Sequence, residues 1–414
     1  MDKTVIYHVD VNSAFLSWEA ADRLARGEGT DLRTIPSAIG GSESQRHGIV
    51  LAKSTPAKKY HIQTGEPLIR AREKCPELLV VPPNFTLYAE KSKAFISLLS
   101  RYAPKVEQFS IDEAYCDMSG TGKLFGHPVT FAEKLKATIA DELGFTVNIG
   151  ISTNRLLAKM ASDFEKPDKV HTLFPEEIPV KLWPLPIENL LYVGKSTAGK
   201  LHRLGIHTIY DLAHTDPEIL RAHFKKHGQT IYDYANGRDL EQSSHDEPNK
   251  GYGNSITVSF DVTDAETAKR ILLSLTETVS ARIRADHAFI RTVSVNLVYD
   301  DFEHCSKQCT LESTTNVTEK IYEAVSVLFD RLWSKKPIRL LGVQTSKATS
   351  EAYEQMELFG SEANEKYVKL NSAIDDIRSK FGEDAVMRAC FMESKNAENY
   401  QLYKKRHSTR HPSE

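Results

Sequence analysis

The sequence predicts an α+β multidomain protein, and three observations carry that prediction. The chain has 414 residues, more than one ordinary domain of about 100–200 residues holds. Residues 85–172 and 252–348 each mix apolar alternation at a period of two with apolar stripes at the helical period. Hydrophobic residues make up 40% and charged residues 26%, the composition of a globular chain and not of a disordered or fibrous one.

Val5 to Val11 reads as a strand, with His8 interrupting it and Asp10 near its end. From about 85 the pattern is helix, acidic hairpin, helix, strand, helix, a layer with helices on one face of a sheet. In it, Thr130 and Glu133 form a capping box ahead of a stripe of Phe131, Leu135, Ile139 and Leu143. Phe145, Val147, Ile149 and Ile151 alternate with Thr146, Asn148 and Gly150, the pattern of a half-buried strand. Leu156, Leu157, Met160, Ala161 and Phe164 mark a further amphipathic helix. Strand signals fade over 173–240, where short helices dominate, and the polar run near 241–251 reads as a linker. The second unit opens with a strand at Asn254–Val262 and a second capping box, Thr263 with Glu266, before a helix striped by Ile271, Leu275, Val279 and Ile283. Strands around Val293–Tyr299 and Lys307–Leu311, a helix around Thr318–Trp333 and a strand around Ile338–Thr345 complete a split β-α-β-β-α-β pattern, ferredoxin-like and functionally uninformative by itself.

Lys and Arg total 53 and Asp and Glu 56, a net charge of −3. That excludes a uniformly basic protein but not a basic patch. Cys75, Cys116, Cys305, Cys309 and Cys390 are odd in number and scattered, which suits a reducing cytoplasm better than a disulfide framework. Cys305 and Cys309 stand beside His304, but no second pair lies at zinc spacing. The apolar stretch after Met1-Asp2-Lys3-Thr4 is too short for a signal-peptide core, and no apolar run approaches the roughly 18 residues of a membrane span. A cytoplasmic protein without a membrane partner is expected.

The chemistry concentrates at Ser110-Ile111-Asp112-Glu113-Ala114-Tyr115. Neighbours in a strand point to opposite faces, so paired acids at a hairpin end can hold a metal from two directions. Asp10 is a candidate third acid. Mg²⁺ prefers oxygen ligands and leaves positions for substrate phosphates, and two such ions about 3.5–4 Å apart suit phosphoryl chemistry. An Asp-Glu pair alone is more often a solvated turn.

Three motifs occur in one order: His8-Val9-Asp10-Val11-Asn12-Ser13-Ala14-Phe15, then Ser110–Tyr115, then Gly150-Ile151-Ser152 with Asn154, Ala158-Lys159, Ala161-Ser162 and Lys166-Pro167. Together they resemble the Y-family DNA polymerases of translesion synthesis, over roughly residues 4–348. The resemblance implies a right-hand architecture: palm at 1–15 and 80–172, fingers at 16–79, a helical thumb at 173–240, a linker at 241–251, a ferredoxin-like little finger at 252–348 and a tail at 349–414. It implies a low-fidelity, template-directed DNA polymerase that copies damaged bases, with primer-template DNA and deoxynucleoside triphosphates as substrates. Asp10, Asp112 and Glu113 fall on the family's catalytic, metal-binding acids for two Mg²⁺ ions, with the Val11 carbonyl as a further ligand. Phe15 falls on the steric gate against a 2′-hydroxyl; the alternative for Phe15 is a plain core aromatic. Lys166 falls on a triphosphate contact, the alternative being a solvated helix-end lysine.

The chain departs from the family twice. The fingers pattern N-Y-x-A-R reads Ser54-Thr55-Pro56-Ala57-Lys58 here. Thr55 can donate a hydrogen bond to phosphate, and Lys58 keeps the charge without the bidentate fork of arginine. Small Ala52 and Ser54 are expected to roof the nascent base pair loosely. In the thumb, Leu190–Leu201 resembles a helix-hairpin-helix whose amides near Gly194 and Lys195 contact DNA phosphate, but Tyr192 replaces the first glycine of the turn. Gln355-Met356-Glu357-Leu358-Phe359 resembles the peptide that docks bacterial polymerases on the sliding clamp, with Gln355, Leu358 and Phe359 as anchors. A helix is expected over Lys366–Arg388 with Leu370, Ile374, Ile377 and Phe381 on one face, and Lys404-Lys405-Arg406 forms a basic end. A monomer is expected. The competing readings are a palm-type nucleotide cyclase and a non-catalytic DNA- or clamp-binding repair factor that keeps the fold. Whether partner subunits are needed, as in UmuC-like members of the family, is left open.

Overall fold

A computed structural model describes residues 4–43, 46, 48–239, 248–351, 361–383 and 385–391. The expected clamp peptide Gln355–Phe359, linker residues 241–247 and the basic end lie outside the described residues. The chain divides into two compact units, one of residues 1–41 and 49–244, the other of 42–48 and 245–414.

The strands of the first unit are β1 (Ile6–Val11), β2 (Ser37–Gly40), β3 (Val50–Lys53), β4 (Leu79–Val81), β5 (Lys105–Gln108), β6 (Glu113–Asp117), β7 (Val147–Ser152) and β8 (Val170–Thr172). They form a sheet in the order β5-β6-β1-β7-β8 and a smaller one in the order β3-β2-β4. β1 lies at the centre of the larger sheet, antiparallel to both β6 and β7. Alternation along β1 sends Tyr7, Val9 and Val11 into an apolar core shared with Phe95 and Leu98 of the helix Phe85–Ser100 and with Phe131, Leu135 and Ile139 of the helix Pro128–Leu143. His8 and Asp10 therefore face the other way.

That other face is covered too. Every residue of β7 is buried, so the strand is not half-exposed and helices do not keep to one side. The short helix Arg155–Ser162 closes the second face. Gly150 permits this, because a Cβ there would sit 2.0 Å from the Ala158 carbonyl oxygen. The apolar side of that helix, Leu156, Leu157, Met160 and Ala161, joins a core with Leu182, Ile187, Leu201 and Leu212 of the short-helix region that follows.

Neither expected capping box forms where the sequence suggested. The helix Pro128–Leu143 starts earlier, with His127 at its N-cap and Pro128 in the first turn, where proline's missing N–H costs nothing. In the second unit Asp264 caps the helix Ala265–Ala285 by accepting from the Thr267 amide; a carboxylate one residue along outcompetes Thr263 for the free amides.

The second unit contributes β9 (Gly253–Val262), β10 (Ile290–Tyr299), β11 (His304–Thr315) and β12 (Ile338–Ser346) in the order β11-β10-β12-β9. All neighbours are antiparallel, and each helical crossover spans one intervening strand, the split pattern expected. Val293, Val295, Leu297, Leu341 and Val343 pack on Leu272, Leu275, Val279, Ile321, Val325 and Phe329 of the helices Ala265–Ala285 and Thr318–Leu332. The tail helix runs Ser361–Phe381, ending before Arg388. Its apolar stripe is not what docks: Leu370 and Phe381 are exposed, while Asn371 and Arg378 are buried. The contacts are polar, from Arg284 to Asp375 and Asn371, and from Arg378 and Arg388 to Glu277.

Candidate active site

The site grows from the strand register. Asp10 on β1 lies directly opposite Glu113 on β6 and opposite Asn148 on β7. Asp112 ends the hairpin turn that joins β5 to β6, where its carbonyl accepts from the Val11 amide at 3.0 Å and its carboxylate accepts from the Ser110 hydroxyl at 2.7 Å. Asp10, Val11, Asp112, Glu113 and Phe15 line one cavity of about 380 Å³ together with Ala52, Lys53, Lys58 and Thr64.

Two lysines hold the acids. Lys166 Nζ donates to Asp10 Oδ2 at 2.6 Å and pairs with Asp163 at 2.8 Å. Lys159 Nζ donates to Glu113 Oε1 at 2.8 Å and lies 3.9 Å from Asp10 Oδ2. Burial pushes the Asp10 carboxyl up to about 6, against the pull of Lys166 and Lys159. Burial also opposes ionisation of Glu113, but His8 and Lys159 outweigh it and bring that carboxyl down to about 2. Burial alone lowers Lys166, yet Asp10 and Asp163 leave it above the usual lysine range. His8, fully enclosed, is lowered to about 4 by burial.

Among the described residues no group of three or more His, Cys, Asp and Glu side chains is gathered tightly enough to hold a metal by itself. Asp10, Asp112 and Glu113 on the cavity wall nonetheless offer carboxylate oxygens, the chemistry a hard divalent ion requires. An incomplete protein shell suits an ion that keeps waters and substrate phosphates among its ligands.

Phe15 is neither core nor free. It is the second residue of the helix Ala14–Ala25, is half-buried, and stacks on Tyr88 at 4.6 Å and 9° between planes while forming part of the cavity wall. Lys58 reaches the cavity, whereas exposed Thr55 is not among its lining residues. Ser54 does not roof the cavity as Ala52 does. Its hydroxyl donates to the Ile35 carbonyl at 2.7 Å and accepts from the Ala57 amide at 3.1 Å, capping the helix Thr55–Lys58. A Ser-x-Pro-Ala string is itself a cap signal, so this role was readable.

Sequence reasoning passed over Lys53, whose ammonium is lowered by burial and by neighbouring Lys58. It quoted His8 and Lys159 in motifs without giving them roles. No spacing rule joins residues 8, 113 and 159; only the fold does.

In the short-helix region, Gly194 is the N-cap of the helix Lys195–Arg203 and makes no side-chain cap. Gly194 and Lys195 are exposed. Tyr192, standing where the motif has glycine, adopts φ 68°, a left-handed conformation that costs an L-residue about 1–2 kcal/mol. Its ring stacks on Tyr234 at 5.6 Å.

Comparison with known families places these features. Residues 9–163 match the impB/mucB/samB family and residues 249–358 its C-terminal domain, while 188–239 match the thumb domain of DNA polymerase iota. A DNA polymerase IV of Clostridium acetobutylicum is 46% identical over 94% of this chain and 98% of its own length. One from Acetivibrio thermocellus is 35% identical over 95% of this chain and 98% of its own. A solved Y-family DNA polymerase chimera shares the fold at a TM-score of 0.70 and 22% identity, covering 84% of this chain and all of the chimera.

Proposed function

Because the chain belongs to the Y-family DNA polymerases, in the DNA polymerase IV group, we propose that the cavity beside β1 is where it joins a deoxynucleotide to a primer. The enzyme is a DNA-directed DNA polymerase of the translesion class. The observation that carries the site assignment is the register that sets Asp10 opposite Glu113 on one cavity wall with Asp112 and Phe15.

In the reaction the primer 3′-hydroxyl attacks the α-phosphate of the incoming nucleotide and pyrophosphate leaves. Asp10, Asp112, Glu113 and the Val11 carbonyl would hold Mg²⁺, two ions in our reading. Bound Mg²⁺ supplies Lewis-acid stabilisation of the phosphates and lowers the pKa of the hydroxyl. The remaining work belongs to side chains. Lys53, Lys58 and Lys166 are the cations to receive the triphosphate, with Thr55 as a further donor. Lys58, lacking arginine's planar fork, would hold a phosphate less directionally. Phe15, braced by Tyr88, would exclude a 2′-hydroxyl, and the small Ala52 would leave room for a damaged template base. Positioning and charge neutralisation in a sheltered site do most of the catalytic work.

Palm, fingers, thumb and little finger are assigned to the residue ranges given above, with Gly194 and Lys195 of the thumb gripping duplex phosphate. Gln355, Leu358 and Phe359 would dock on a sliding clamp, and clamp pull-down with all three changed to Ala is the check. We take the protein to act as a cytoplasmic monomer; no helix among the described residues is long and apolar enough to cross a membrane. Primer extension tests the site. Asp112→Ala and Glu113→Ala should abolish it while DNA binding survives, and unchanged extension would refute the assignment. A parent protein that binds DNA without extending it would instead favour the non-catalytic repair factor.

A further inference from the structure

We propose that His8 and Ser162 form a positioning pair for Glu113, in which the Ser162 hydroxyl donates to His8 Nδ1 and thereby keeps the ring proton on Nε2, facing the carboxylate. The inference rests on the reading of Glu113 as a metal-holding acid.

The geometry is closed on all sides. His8 and Ser162 are both fully buried. The ring packs on Tyr115 at 4.8 Å, and Gly150, its register partner on β7, leaves the helix Arg155–Ser162 close against it. His8 Nδ1 lies 2.8 Å from Ser162 Oγ, and His8 Nε2 lies 3.4 Å from Glu113 Oε2. Glu113 Oε2 faces Nε2 at that ion-pair distance, and Nε2 is buried and makes no hydrogen bond to any described residue.

The proton assignment follows from valence. An ionised carboxylate only accepts, so the nitrogen facing it must be N–H if two lone pairs are not to be opposed in a dry interior. A neutral imidazole carries one N–H, so Nδ1 must accept. The group facing Nδ1 is the Ser162 hydroxyl, whose alternative acceptor is the Lys159 carbonyl at 2.8 Å. Turning the hydroxyl toward the ring gives Nδ1 a donor and leaves the Nε2 proton facing Oε2. Leaving the proton on Nδ1 satisfies one and sets the other against Oε2.

The consequence is a carboxylate faced by a cation or a proton at each oxygen. Lys159 donates to Oε1 at 2.8 Å, and the His8 Nε2–H faces Oε2 from 3.4 Å. Each oxygen retains a further lone pair for an incoming ligand. Ser162 and Lys159 lie three residues apart on one helix, so a single rigid element sets both contacts. Partners that orient a ligand in this way contribute about 10–100-fold to metal affinity or activity.

The test separates a donor at the Nε2 position from mere bulk. In His8→Gln the side-chain amide can place an N–H where Nε2 stands, whereas in His8→Asn it reaches only as far as Nδ1. The full-length variants would be assayed for Mn²⁺ affinity by electron paramagnetic resonance, with a dideoxy-terminated primer-template and deoxynucleoside triphosphate bound so that no turnover occurs. His8→Gln should stay within about threefold of the parent and His8→Asn should weaken Mn²⁺ by about 10–100-fold. Ser162→Ala should fall between them, since the ring keeps its proton but loses the lock. Equal behaviour of His8→Gln and His8→Asn, or parental affinity in Ser162→Ala, would overturn the pair. Glu113→Ala keeps the two readings apart. If it binds Mn²⁺ as the parent does, the assignment of Glu113 itself fails. If it loses Mn²⁺ while His8→Asn does not, only the positioning pair fails.

Discussion

The sheet around β1 and the sheet around β10 treat their second faces in opposite ways. The first is covered on both sides, and charge is concentrated on one covered face: Asp10 and Glu113 from the strands, beside the neutral ring of His8, and Lys159 and Lys166 from beyond them. The second has helices on one side. Its other side carries Ser255, Asn296, Val298, Ser306, Leu340 and Gln344 around a shallow concavity of about 700 Å³ whose lining includes neither Lys nor Arg. Buried charge gains strength from low dielectric and must be balanced locally. An open face of hydroxyls and amides forms hydrogen bonds without releasing counterions. We propose that the first face holds a reacting phosphate in place and the second touches a duplex along which the polymerase must also slide.

Several changes would break or sharpen this contrast. The largest effect should come from Asp10→Asn, which keeps the shape and removes the charge; primer extension should fall by about 10²–10³-fold or more, with gel-shift binding of DNA retained. Phe15→Val should lower discrimination against ribonucleotides by about 10–200-fold, the range for a steric change in a pocket, as measured by kcat/KM for each nucleotide. Two glycine substitutions compare the sheets directly. Gly150→Ala drives a methyl into the Ala158 backbone at 2.0 Å and should cost about 1–3 kcal/mol in urea unfolding. Gly342→Ala meets the Ser255 side chain at 3.1 Å and, at ordinary contact distance, the Asn254 carbonyl at 3.6 Å and the Asn296 side chain at 3.7 Å, and should cost well under that. The smallest effect is on salt dependence. Lys195→Ala should reduce the slope of log affinity against log salt by about 0.9, while Asn296→Ala should weaken binding with no change of slope. A slope change with Asn296→Ala would end the proposed division of labour.

Much of this is legible in the sequence. The acids, the strand holding Asp10, the stripe Phe131-Leu135-Ile139 and the split pattern of the second unit follow from periodicities that local backbone geometry enforces. Membership of the family rested on three motifs and stands; the DNA polymerase IV group, left open against UmuC-like members, comes from the relatives. What escaped depends on tertiary neighbours. Burial of both faces of β7 depends on a helix whose sequence does not declare its docking face. Neither capping box marks a helix start: one helix begins earlier, at His127 and Pro128, with no side-chain cap, and the other is capped by Asp264 in place of Thr263. The tail helix buries Asn371 and Arg378 instead of its apolar stripe because Glu277, Glu319 and Arg284 offer them partners. The lysine grip on the acids joins residues up to 156 positions apart, beyond any local rule.

The missing methyl at Gly150 works as a datum surface. With no side chain between them, strand and helix touch backbone to backbone, and the height of the helix above the sheet is fixed by hard atoms and not by adjustable ones. Everything the helix carries inherits that tolerance. A shim of one carbon would lift Lys159 and Ser162 together, so both oxygens of Glu113 would lose alignment in the same displacement. Error at this position is common-mode: it does not average out over the contacts, and no single neighbour can absorb it.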